Sequence, residues 1–429
     1  MDQALLSRLQ QAYRDLDLFP LITAEEIDKF RVEYGTEVLI RLKRETEAAT
    51  KDGKLVFAGH RGCGKSTLLK RFSIEMQPHH FTVFFSISDM IEMSDVNHVN
   101  ILYAIALMLL SKATQAQVEI PPATQKSLLE WFTTTKSTTA SKDLKSELAA
   151  GGNFFQVLTA KLKQEETFRE EIKTTYQYRI SELVDKINQI AALIQTAVKK
   201  PVLVIIDDLD KLDLALVESI YLKNIKSLFA PGFRIVFTIP ISAIREPALI
   251  GVLNSEGVVR VQQFPVAKFF SKEDCRTDNA PPIEKTVNVF LEVLKKRVPS
   301  DLIEPETAQQ IVLKSGGVMR ELVRMARECC TESMVLLESE PERQSIKIDD
   351  GILTLALRNL RNDFARPLGT KFYSMLVEVY QTQATADTES KEFLDLLHGL
   401  YVLEYLNDDL WYDVHPIVAD LLKRKHLIQ

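Results

Sequence analysis

The chain has 429 residues, 46% of them hydrophobic, and a formal net charge of −6. That length and apolar content exclude a wholly disordered chain and allow two or three domains, while the slight acidity excludes attraction of the chain as a whole to nucleic acid or anionic lipid, leaving local patches only. The four cysteines, Cys63, Cys275, Cys329 and Cys330, lack metal-ligand spacing, and an adjacent pair is a poor start for a disulfide framework; with no signal-peptide pattern, a reducing cytoplasm is expected.

Met1 to Leu18 mixes apolar and charged residues at helical spacing until Phe19-Pro20 breaks it. Thr23-Ala-Glu-Glu26 has the form of a capping box, so a second helix is expected to run to about Tyr34, ended by Gly35, and a third spans about Thr36 to Ala49. Residues 1–50 thus read as a helical linker ahead of an α/β core at 51–270.

Leu55 to Ala58 is a short apolar run, Gly59 to Thr67 reads GHRGCGKST, and Leu68 to Phe72 is helix-like. Strand, glycine-rich loop and helix follow with phosphate-loop spacing. Glycines let the backbone curl so that successive N–H groups over Gly59, His60, Arg61, Gly62, Cys63 and Gly64 face phosphate oxygens, and the helix start adds a favourable dipole. Lys65 would reach the β- and γ-phosphates, Ser66 would give its hydroxyl to Mg²⁺, and Thr67 would support the loop. The bland alternative is a glycine-rich turn before a core helix; the flanking strand and helix favour the nucleotide. Cys63 reads as a small residue that fits the loop rather than a redox handle.

Phe81 to Ile87 predicts a second strand, with Ser88-Asp89 at its carboxyl end, where ligands of parallel sheets gather. Val99 to Ser111 predicts a helix; its most apolar part, Ile101 to Leu110, is about half the length that spans a bilayer, so no membrane segment is expected. An insertion at about 121–200 follows. Thr133 to Ser146 is rich in Ser, Thr and Lys and reads as a flexible loop with Gly151-Gly152 after it. Phe154 to Lys199 is helical in pattern, with a stripe of Phe168, Ile172, Tyr176, Ile180, Leu183, Ile187, Ile190, Ile194 and Val198; one continuous helix would be roughly 70 Å long, so that part of it could project. Core packing is favoured for this stripe over a coiled-coil seam.

Pro201 to Asp210 has five apolar residues in a row and then acids, a central strand with carboxylates that are costly unless they meet a cation. Asp207 would hold Mg²⁺ and Asp208 would orient or polarise the attacking water; Asp210 and Asp213 could also face the site, but a helix start or the surface is expected for them. A helix from Leu214 to Leu228, a strand from Arg234 to Ile239 and a fifth strand from Val258 to Val261 complete the core. Thr238 either touches the γ-phosphate or its water, or is simply a good strand former. The alternation predicts an α/β, three-layer P-loop sandwich with a parallel sheet.

Residues 281–360 form a helical lid, with helices over Val287–Val298 and Pro305–Lys314, then Gly316 to Arg327. Arg320, Arg324 and Arg327 share a face of the last helix; Arg320 is the candidate for nucleotide contact, against a solvated basic face. In 361–429, helices precede Tyr401 to His415, where Asn407 to Asp409 makes a tight turn between alternating strands. That order suggests a winged helix, whose acidic wing tip favours packing against its own ATPase domain or a partner over binding DNA.

With these motifs in hand, the chain resembles the AAA+ and STAND group of P-loop ATPases. GHRGCGKST and VLVIIDDLD match the two phosphate-site motifs, DDLD being the form of STAND and KAP-type proteins, and GGVMREL resembles the second sensor region of origin-recognition-type proteins, which implies a sensor role for Arg320. Asp413-Val-His-Pro416 after the hairpin resembles the histidine motif of STAND winged helices, implying that His415 contacts the diphosphate. The second acid is Asp208 rather than the glutamate usual in AAA+ proteins, which implies slow or differently organised hydrolysis, and no arginine follows the strand ending at Thr238. The resemblance implies an ATP/ADP and Mg²⁺ switch that engages a partner protein or forms a homo-oligomer in its ATP state, with Arg234, Arg245 or Arg260 as the neighbour's finger. The alternatives are a DNA-associated loader or transposition-type regulator, and a scaffold in which nucleotide is only structural.

Overall fold

The computed structural model describes residues 3–133, 154–277, 279–340, 346–406 and 409–429. Five strands, β1 (Lys54–Gly59), β2 (Phe81–Ser86), β3 (Val202–Asp207), β4 (Arg234–Pro240) and β5 (Gln262–Phe264), form one parallel sheet in the order β2-β3-β4-β1-β5. Phe81 lies opposite Val202 and Leu203 opposite Arg234 in the parallel ladders on either side of β3. Every residue of β3 is buried, as an unbroken apolar run between two neighbours requires.

The chain divides spatially into two units. One comprises Met1–Thr36, Gly59–Thr67 and Phe264–Gln429, the other Glu37–Ala58 and Leu68–Gln263. Among the described residues no helix is long and apolar enough to cross a membrane.

In the second unit, the helix His98–Gln115 is buried along most of its length and packs on Ile180–Val198. Most of the apolar stripe faces this core: Phe168, Ile172, Tyr176, Leu183, Ile187, Ile190 and Ile194 are buried, while Ile180 and Val198, at the two ends of the last helix, are half-buried. The helical pattern there is not one continuous helix but three, Phe154–Gln164, Glu166–Tyr176 and Ile180–Val198. Arg169 explains the first break. Its guanidinium donates to the carbonyls of Leu162 (3.0 Å) and Lys163 (2.9 Å), which end the preceding helix, and to the Asp95 carboxylate (2.9 Å). Orphan carbonyls are thereby satisfied by a side chain and the helix can stop. Most of the serine- and threonine-rich loop falls outside the described residues.

Two further expectations shift. The fifth strand is Gln262–Phe264 rather than Val258–Val261, because Val259 is 90% exposed while Gln262 is buried, its amide donating to Glu45 at 2.6 Å. The helix after β3 is broken into Leu214–Val217, a π-turn at Glu218–Leu222 and Ile225–Phe229. Here Tyr221 donates to the carbonyl of Thr238 at 2.9 Å.

In the first unit, the capping box forms as expected: Thr23 Oγ1 accepts the Glu26 N–H (3.2 Å) and the Glu26 carboxylate accepts the Thr23 N–H (2.9 Å). That helix ends at Phe30, short of Tyr34. The helix Gln3–Asp15 packs on Met319–Ser339, which in turn packs on Asp350–Ala365. β6 (Val402–Leu406) and β7 (Leu410–Val414) pair antiparallel, Val402 opposite Val414 and Leu406 opposite Leu410. Of the turn joining them, Asn407 and Asp408 lie outside the described residues.

Candidate nucleotide-binding site

The phosphate loop leaves β1 at Gly59 and enters the helix Lys65–Met76. Lys65 is buried, and its ammonium donates to the carbonyls of Gly59 (2.8 Å) and His60 (2.7 Å), so the positive charge is held over the loop's own backbone. Cys63 is fully buried, which gives it a packing role. Thr67 Oγ1 accepts the N–H of Leu21 at 3.1 Å and so ties the N-terminal segment to the loop. Arg61, Gly64 and Ser66 are half-buried at the loop surface. A loop rich in backbone N–H groups, with a lysine at its closing end, fits a di- or triphosphate.

Two elements reach this loop within the same unit. The N–H of Arg320 donates to the Gly62 carbonyl at 2.9 Å, and a Cβ on Gly62, whose φ is +80, would meet the Arg320 Cβ at 2.7 Å. Only glycine permits that approach. Arg324 is engaged with Asp363 at 2.7 Å, and Arg327 with the Tyr13 ring and Asp17. The half-buried Arg320 guanidinium, by contrast, makes no hydrogen bond or ion pair among the described residues. The second element is the hairpin: Nε2 of the buried His60 accepts the N–H of Glu404, in β6, at 2.9 Å.

His415 is fully buried and stands at the start of the helix Pro416–Arg424. Its Nδ1 accepts the Ile417 N–H at 3.2 Å and its ring stacks on Phe364 with centroids 5.0 Å apart. The hairpin's hydrogen bond to the loop comes from Glu404. Burial, with the Arg324 charge adding to it, pushes His415 down to about 3. The folded state therefore binds fewer protons than an unfolded imidazole near 6.5, and stability is lost as pH falls from about 6.5 towards 3, by up to about 1.4 kcal/mol per pH unit. His415→Asn keeps a cap acceptor and does not titrate. It is expected to flatten the fall in urea midpoint between about pH 6.5 and pH 4; an unchanged acid slope would refute the assignment to His415.

In the other unit, Asp207 ends β3 and Asp208 follows with φ +68, a left-handed conformation that an aspartate tolerates at some cost. The turn aims Asp208 at the end of β2. Its Oδ2 accepts the hydroxyls of Ser86 and Ser88, both at 2.6 Å, and its Oδ1 meets the Lys211 ammonium at 2.8 Å. Burial alone would raise this carboxyl, but Lys211 and the two serines outweigh it and hold it below the usual range. Thr238 is fully buried and braces the same turn, accepting the Leu209 N–H (2.9 Å) and donating to the Ile206 carbonyl (3.2 Å). Asp210 lies in the first turn of the short 3-10 helix Leu209–Lys211, one of the places expected for it, but it is buried and not on the surface, and Asp207, Asp208 and Asp210 each bring a carboxylate oxygen within 4.8 Å of the others. Asp213 does cap a helix, accepting the Leu216 N–H at 2.8 Å. Oxygen-only donors of this kind suit a hard divalent cation such as Mg²⁺.

Sequence reasoning did not single out Ser86, Lys211 or Glu404. Ser86 and Ser88 flank the carboxyl end of β2 and Lys211 lies three residues after Asp208, which were usable signals; nothing local marks Glu404.

A profile of the KAP family P-loop domain matches residues 54–238. Among curated proteins, none matches the chain by sequence. Similar solved structures include a Walker-type ATPase of Pyrococcus abyssi, at 14% identity and TM-score 0.45, covering 95% of this chain and 99% of that one. Others are the ORC1 protein of Aeropyrum pernix, solved in complex with DNA, at 10% identity and TM-score 0.42 over 95% and 96% of the two chains, and Cdc6p of Pyrobaculum aerophilum, at 10% identity and TM-score 0.39 over 93% and 98%. The phosphate loop, the acidic end of β3 and the strands that carry them thus lie in a stretch, residues 54–238, that has the P-loop NTPase fold and matches the KAP family P-loop domain.

Proposed function

We propose that the protein is an ATP-driven molecular switch with slow hydrolysis, whose ATP state engages a partner protein or further copies of the chain. The carrying observation is that the lid and the hairpin both hydrogen-bond the phosphate loop, through Arg320 to Gly62 and Glu404 to His60. A change in what the loop holds would alter the setting of both. Lys65 and the loop N–H groups bind the phosphates, and the unengaged Arg320 guanidinium supplies a further charge to them. Ser66 and Asp207 hold the cation, which neutralises charge on the phosphate oxygens. Asp208 orients the attacking water. Slow turnover is supported by the state of that carboxylate, already occupied by Ser86, Ser88 and Lys211. The C-terminal residues 361–429 act in this reading as a winged-helix-like arm, and His415 serves it by fixing its last helix.

The test is the solution mass and ATP turnover of the full chain, without nucleotide and with ADP, ATP or a non-hydrolysable ATP analogue. Mass is expected to rise with the analogue alone, or with a co-purifying partner present. Asp208→Asn should bind ATP, turn over about 100-fold more slowly and hold the analogue-like mass in ATP. Wild-type turnover in Asp208→Asn, or one mass in every nucleotide and partner state, would sink the switch.

A further inference from the structure

A cavity of about 360 Å³ lies in the first unit, walled by the helix Pro305–Lys314 on one side and by β6, β7 and the helix Pro416–Arg424 on the other. This size is within the range that holds small organic ligands. Its lining combines flat aromatic surface with positive charge. Tyr405 and Trp411 face each other across the hairpin and stack, with centroids 4.5 Å apart at 21°. Tyr380 adds a third aromatic side chain, with the Arg276 guanidinium 3.9 Å above it.

The charges in the lining are not equivalent. Arg276 is spent on Asp413, and Asp420 is spent on Arg361 and Arg424, so both acids are neutralised within the protein. Lys314 and Lys423 also line the cavity, and their ammonium groups have no hydrogen bond or ion pair among the described residues. Two uncommitted cations beside an aromatic floor select an anion with an apolar body.

The floor is also wired to the phosphate loop. Tyr405 donates its hydroxyl to the Gly316 carbonyl at 2.9 Å, Gly316 and Gly317 lead into the helix that starts at Met319, and the N–H of Arg320 reaches Gly62. We propose that the cavity binds a small aryl carboxylate or aryl phosphate, and that its occupancy is relayed through Tyr405, Gly316 and Arg320 to the nucleotide. The binding site stands on the cavity alone; the relay rests on the nucleotide switch proposed above.

The experiment titrates the full chain with anilinonaphthalene sulfonate, a fluorescent aryl anion, with phenyl phosphate as competitor and benzyl alcohol as the uncharged control. A saturable signal is expected that phenyl phosphate displaces and benzyl alcohol does not, in Lys65→Ala as in wild type, which keeps the phosphate loop out of the readout. The Lys314→Ala/Lys423→Ala double variant should bind the probe about tenfold more weakly or worse. Lys423 is exposed and Lys314 half-buried at a helix end, so the fold is expected to survive, which an unchanged thermal midpoint would confirm. No saturable binding, or binding indifferent to the two lysines, overturns the site. For the relay, saturating phenyl phosphate should change the ADP Kd of wild type several-fold, whereas Tyr405→Phe, titrated with phenyl phosphate to its own saturation, should show no such change. Equal coupling in Tyr405→Phe, or none in wild type, overturns the relay. Should wild type bind no nucleotide at all, the switch fails while the probe titration still decides the cavity.

Discussion

Lys65→Ala is expected to raise the Kd for ATP and ADP by about 100-fold or more and to abolish measurable hydrolysis at millimolar ATP. The lysine is buried and its ammonium already sits on two loop carbonyls, at 2.8 and 2.7 Å. Little side-chain entropy is then lost when phosphate arrives, and a charge-assisted bond to each of two phosphates contributes about 1.5–3 kcal/mol. Together these reach a factor of about 100 or more. Isothermal titration with Mg·ATP and Mg·ADP measures the effect. A thermal unfolding midpoint close to wild type without nucleotide would show that binding, and not the fold, was removed. If Lys65→Ala binds nucleotide as wild type does, the phosphate-loop assignment is wrong.

Gly317→Ala is expected to be the most destabilising single methyl in the lid. Gly317 has φ +81, and a Cβ built there would lie 1.7 Å from the Ala267 carbonyl oxygen and 2.7 Å from its carbon. Neither contact is the tip of a flexible side chain; backbone must move. Left-handed strain and overpacking together cost about 3–5 kcal/mol, which in a unit of this size lowers the unfolding midpoint by roughly 10 °C. The displaced segment begins the helix that carries Arg320, so nucleotide affinity should fall with stability. Gly251→Ala is the matched control: it lies in the helix Pro247–Ser255, and nothing lies within 4 Å of its Cβ. That change is expected to be neutral or stabilising by about 0.5–1 kcal/mol. Differential scanning calorimetry of both variants separates the two outcomes, and equal midpoints would refute the packing argument at Gly317.

The chemistry of this protein was legible wherever it depended on neighbours in the chain. The glycine-rich loop between an apolar strand and a helix, the buried strand ending in acids, the Thr23 capping box and the hairpin before His415 are all local patterns. Strand burial, caps and tight loops follow from the hydrogen-bonding and steric properties of residues a few positions apart, so the sequence by itself determined the parallel α/β core and the places of the glycine-rich loop and the acidic strand end that are proposed to meet phosphate and cation.

What only the tertiary structure decided is which distant groups meet. The long insertion helix breaks because Arg169 takes carbonyls of the preceding helix together with Asp95, 74 positions away. Asp208 is held by Ser86, 122 positions before it, and His60 by Glu404, 344 positions after it. Arg320 stands apart from Arg324 and Arg327, although the three share a helical spacing, because only Arg320 begins the helix against Gly62. Periodicity assigns a residue to a buried or an open face, but a buried polar atom must find a specific partner, and that choice is made by the packing of elements far apart in the chain.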